Sequence, residues 1–114
     1  MRIQVKGRNG ATVDEELRSR VEKKLAKVSR QVSPLAVLEI ELSEERNPAI
    51  KESQIAEATL HLKGVTLRAS ERSTDMGHSI NMLADDLARQ VKKHRDKRRA
   101  RARAPQHRAS TLSA

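Results

Sequence analysis

Apolar residues recur along this chain at two different spacings, and the order in which those spacings alternate restricts the fold more than any other feature. In RIQVKG, Ile3 and Val5 alternate with Arg2, Gln4 and Lys6, the two-residue period of a half-buried strand. From Val13 the spacing changes. Val13, Leu17, Val21, Leu25, Val28 and Val32 recur at steps of four or three, which predicts one apolar stripe on a helix of about five turns. Thr12 and Glu15 supply a T-x-x-E capping box at its start, and Gly10 a turn before it. Asp14, Glu15 and Glu16 suit the positive end of the helix dipole, Lys27 and Arg30 the negative end. Pro34 forces Ser33 out of helical dihedrals and ends the helix. The two-residue period returns in AVLEIELS, with Leu38, Ile40 and Leu42 inward and Glu39 and Glu41 outward. EERNPAIKE has neither period and reads as an exposed loop. SQIAEATLHLKGVTLRASE predicts a hairpin turning at Lys63-Gly64, with Ala56, Ala58, Leu60 and Leu62, then Val65, Leu67 and Ala69, on one face. A second helix begins between Ser73 and Asp75, with Ile80, Leu83, Ala84, Leu87 and Val91 as its stripe.

The resulting order is β-α-β-β-β-α. Each strand has one apolar face and each helix one stripe, so the fold class is α+β: a two-layer sandwich, a four-stranded mixed sheet with two helices on one face and water on the other. The first crossover should be right-handed, placing strands one and two parallel. The chain has 114 residues, room for one domain, and no internal repeat. It contains no Phe, Tyr or Trp; eleven Leu, eight Val and five Ile must build a modest core and leave some chain outside it. There is no Cys for disulfides, no apolar run long enough to span a membrane, and no signal-peptide pattern, which predicts a soluble, cytoplasmic protein.

The net charge of +9 is confined to one segment. Residues 89–108 hold ten Lys or Arg against Asp96 alone, whereas the remainder carries fourteen charges of each sign. The stripe stops at Val91, so the second helix should leave the core by about residue 95, fray, and end before Pro105, with QHRASTLSA disordered. The expected division is a folded domain over residues 1–97 and a basic, disordered tail over 98–114. Basic blocks of this kind point to nucleic acid, less often to an acidic membrane or protein.

Arg20, Lys23, Lys27 and Arg30 lie opposite the first helix's stripe, with Lys24 beside them; Arg89, Lys92 and Lys93 lie opposite the second, continued by Arg95 and Lys97. Two helices on one sheet face would merge these into one basic surface. A chain without aromatics cannot stack bases, so such a surface suits folded or duplex RNA recognised by shape and phosphate. Catalysis finds no support. His61, His78, His94 and His107 show no metal-ligand spacing, with His61 expected on the wet face and His94 in the basic block. The adjacent pairs Asp85-Asp86 and Glu44-Glu45 read as solvated surface. Gly7 and Gly10 make no phosphate loop, and no Ser stands in a G-x-S-x-G elbow. The expectation is a non-enzymatic protein without metal, cofactor or small-molecule substrate.

MRIQVKGRN, VDEELRSRVEKKLAKV, the hairpin ATLHLKGVTLRASERSTDM and the helix SINMLADDLARQVKKHRDK resemble, in this order and spacing, the ribosome hibernation-promoting factor and ribosome-associated translation inhibitor family, over roughly residues 1–98. The resemblance implies the same β-α-β-β-β-α fold, similar to a double-stranded-RNA-binding domain. It also implies a translation inhibitor seated on small-subunit rRNA, in the channel of messenger and transfer RNA, during stasis. The ribosome's small subunit and its rRNA would be the partners, the protein alone a monomer, and the basic residues named above the rRNA contacts. Two departures stand out: the family's usual Tyr after DM is absent from Met76-Gly77-His78, and SRQVS replaces aromatics after the first helix. Long members add a dimerising domain, so this chain resembles a short member or the N-terminal domain of a long one. A general duplex-RNA or acidic-protein interaction module using the same surface is the alternative.

Overall fold

Each run of two-residue alternation forms a strand. A computed structural model describes the backbone of residues 1–113 and the side chains of residues 1–101. The elements are β1 (Arg2–Arg8), α1 (Glu15–Lys24), α2 (Ala26–Ser29), β2 (Val37–Glu44), β3 (Gln54–Leu62), β4 (Val65–Ser73) and α3 (Met76–Ser113). The sheet order is β1-β2-β3-β4. β1 pairs parallel with β2, matching Ile3 to Leu38 and Val5 to Ile40, and the other pairs are antiparallel. Because side chains alternate, this register sets Leu38, Ile40, Leu42, Ala56, Ala58, Leu60 and Ala69 on one face, all buried. Val21 from α1, Leu25 between the two helices, Val28 from α2, and Ile80, Leu83, Leu87 and Val91 from α3 cover that face. The fold is the α+β sandwich that the periodicity predicts, with an aliphatic core throughout.

Two glycines are required where predicted turns occur. Gly64 closes the β3–β4 hairpin at φ +79°, a region open to glycine. At the end of β1 the chain doubles back through Asn9 and Gly10, and a Cβ on Gly7 would overlap the Ala11 carbonyl oxygen.

The first helix departs from expectation at two points. First, the cap is Asp14, whose Oδ1 accepts the Leu17 N–H at 2.8 Å, and the Thr12–Glu15 box does not form. A carboxylate at the positive helix end outcompetes a hydroxyl two residues earlier. Second, the first helix is bent, not continuous: Leu25 sits at φ −86°, ψ 0° between α1 and α2. Each step of four overshoots a turn by about 40°, so the stripe from Val13 to Leu25 winds around a straight helix. Starting late and bending at Leu25 returns Val28 to the core. α3 is still helical at Arg101, the last residue described in full, as suits a run of Lys, Arg and Ala; the expected helix end before Pro105 and the expected disordered tail lie beyond the residues described in full. Val91 is still the last buried residue, so the helix beyond it runs without core contact among the described residues.

The start of α3 is clamped. Asp75 Oδ2 accepts the His78 N–H at 2.9 Å. Ser79, fully buried, donates to the Gln54 carbonyl at 2.7 Å and lies 2.8 Å from Ser73 Oγ, which ties α3 to the ends of β3 and β4.

Candidate nucleic-acid interface

α1 and α2 run beside α3 in the same direction. Arg20 lies over the start of α3, so that a Cβ on Gly77 would come within 2.8 Å of its Nη1. Further along, Lys27 Nζ donates to Asp85 Oδ1. The outward rows Arg20–Lys23–Lys24–Lys27 and Arg89–Lys92–Lys93 therefore stand side by side on one surface, because the stripes beneath them face one sheet. All of these residues are exposed, as is Arg30.

Their availability is unequal. Asp85, read from sequence as merely solvated, bridges the two helices through Lys27, and that hydrogen bond and charge hold its carboxyl below the usual 3.8. Lys27 is thereby committed to a partner within the fold. Arg89 lies 3.6 Å from Asp86, which also accepts a bond from Gln90. Arg30 turns its Nε back to the Ala26 carbonyl. Among the described residues, Arg20, Lys23, Lys24, Lys92 and Lys93 form no ion pair. These are left without an ion-pair partner, although Asp85 also feels the charge of Lys24 and Arg89.

Arg95 and Lys97 do not extend the same face. Lys97 follows Gln90 by two turns, and Gln90 bonds the Arg68 carbonyl, so Lys97 faces the β4 side. Arg95 is half-buried and turns, with His94, to the underside of α3. The side chains of Arg103, Arg108 and His107 lie outside the described residues.

Of the fourteen carboxylates that cancel the remaining charge on paper, seven lie in or at the start of the helices (Asp14, Glu15, Glu16, Glu22, Asp75, Asp85 and Asp86), and others lie on the sheet. Glu39, Glu41 and Glu57 occupy the open sheet face, away from the helices. There Glu41 pairs with Arg8 at 2.9 Å and Glu39 with His61 at 3.1 Å, which puts His61 on the wet face as expected. The open sheet face is mixed in charge, and the helix layer carries acids as well as its basic rows.

The family model described as sigma 54 modulation protein / S30EA ribosomal protein matches residues 3–99. The chain belongs to that family. S30EA relatives include a ribosome hibernation promotion factor from Picosynechococcus sp., 33% identical over 98 residues, covering 85% of this chain and 50% of that protein. Another, from Staphylococcus aureus, is 34% identical over 110 residues, covering 93% and 55%. The chain thus spans about half the length of these curated relatives. Among solved structures, the Thermus thermophilus Protein Y N-terminal domain superposes with a TM-score of 0.71 at 28% identity, covering 82% of this chain and 99% of that one. A ribosomal subunit interface protein from Coxiella burnetii gives 0.68 at 27% identity, covering 84% and 99%. These agree with the family that the motifs resemble and with the four-stranded α+β fold. Among the described residues there is no cluster of potential metal ligands, and no helix is long and apolar enough to cross a membrane.

Proposed function

We propose that this S30EA-family chain is a ribosome-associated hibernation factor that acts without catalysis. It binds small-subunit rRNA as a monomer in the cytoplasm, in the channel of messenger and transfer RNA, and so blocks translation during stasis. The observation that carries this reading is the basic row on adjoining helices: Arg20, Lys23, Lys24, Lys92 and Lys93 are exposed and form no ion pair among the described residues. Without aromatics, affinity must come from phosphate contact. Residues 1–97 form the binding unit, the basic helix beyond them adds adaptable contacts, and Arg95 and Lys97 contribute from the flanks. Ribosome pelleting at near-physiological salt tests this. Charge reversal at Lys23, Lys24, Lys92 and Lys93 should abolish co-sedimentation and translation inhibition while leaving the thermal melt unchanged. Retained pelleting by that variant would reduce the basic surface to an ordinary solvated one.

A further inference from the structure

The part of α3 that leaves the core forms a roof over a groove at the end of the sheet. The groove, about 790 Å³, lies between the α2–β2 connection, the β3–β4 turn and α3. Its floor is apolar, made by Val32, Val37, Leu62 and Val91, and Leu35 stands at its lip with 90% of its surface exposed. His94, Arg95, Arg98 and Arg99 line it from α3, and Lys63 from the opposite wall. No Asp or Glu is among its lining residues. Arg95 Nε is buried there with no hydrogen-bond partner among the described residues, an uncompensated donor that a native fold rarely retains unless something completes it.

We propose that this groove docks an acidic protein segment in which a bulky apolar side chain is flanked by Asp or Glu. An apolar floor beneath cationic walls matches a ligand with both characters. The cations are spread from His94 to Arg99 and across to Lys63, and the α3 wall from Val91 to Arg99 extends about 12 Å, so they suit a run of carboxylates better than a single headgroup. RNA fits less well: phosphates gain nothing from Val32 and Leu62, and the groove has no aromatic to stack a base. Leu35 and Lys63 lie off the paired helix surface, so the groove can be tested separately from that surface.

The test is fluorescence anisotropy at near-physiological salt with a short labelled peptide carrying Leu-Phe between Glu and Asp residues. Two further probes are the same peptide with Ala-Ala at the centre, and an oligouridylate. Leu35→Asp and Lys63→Glu are the variants; both positions are exposed, so the melt should be unchanged. Saturable peptide binding should weaken roughly tenfold in each variant and with the Ala-Ala peptide, while both variants pellet with ribosomes as the parent does. Equal binding of the two peptides would reduce the effect to charge attraction and overturn the proposal. So would binding insensitive to both variants, or oligouridylate binding that is lost in them. Loss of pelleting in both would assign the groove to the ribosome contact and overturn an independent site.

Discussion

Asp85 shows how one side chain can set the strength of a whole surface. It holds Lys27 across the helix pair and is itself mostly exposed, so its role is to neutralise a cation that would otherwise face the ligand. Asp85→Asn should therefore strengthen binding to a duplex RNA probe and steepen the log K against log salt plot by up to about one unit, since one further cation becomes available for phosphate. An unchanged slope would mean that Lys27 already contacts phosphate in the parent. The same pair sets a pH dependence. A carboxyl whose folded value is depressed contributes stability that is complete above its ordinary value of 3.8 and is lost as pH falls through the folded value. The melts of parent and Asp85→Asn should thus differ near neutrality and converge in acid below the ordinary carboxylate range. Core residues behave otherwise. Leu87 is fully buried beneath Arg89 and Lys92, and Leu87→Ala should cost about 2–5 kcal/mol in chemical denaturation, with the cavity unfilled by any aromatic neighbour.

At the scale of elements, α3 divides into two parts with different dependencies. From Ile80 to Val91 it is held by the core and by the Ser79–Gln54 bond; beyond Val91 the described residues are exposed or half-buried. A chain ending after Arg95 should keep a cooperative melt, lose helical circular dichroism in proportion to the missing turns, and pellet with ribosomes more weakly than the full chain. Failure to fold would show that the basic extension supports the core. Much of this division is legible in the sequence, because the stripe visibly stops at Val91. The bend at Leu25 is not, because it depends on small differences between competing local terms, which a count of periodic positions does not weigh.

For the whole molecule, the relevant quantity is where charge sits, not its sum. Binding should fall steeply with salt, and it should be insensitive to Glu39→Lys and Glu57→Lys on the open sheet face, measured in the same pelleting assay as the helix-face variant. Equal loss from both faces would point to net charge as the determinant and remove the orientation that the two-sided surface implies.

The sequence by itself determined the element order, the inward face of every strand, the aliphatic nature of the core, and the excess of charge after Ala88. Each is a property of one segment and its own backbone period, so no knowledge of neighbours was needed. The tertiary structure decided the rest. Lys27 and Asp85 stand 58 residues apart, and only the packing of α2 beside α3 makes them partners. Arg95 belongs to a basic run in sequence, yet its helical phase, only a turn past Val91, turns it under α3 and into the groove instead of onto the basic face. Likewise, part of the acidic charge that cancels along the chain separates in space, because strand register sends Glu39, Glu41 and Glu57 to the face opposite the helices. Periodicity is local, whereas compensation of charge depends on distance between elements, and that distance exists only once they have packed.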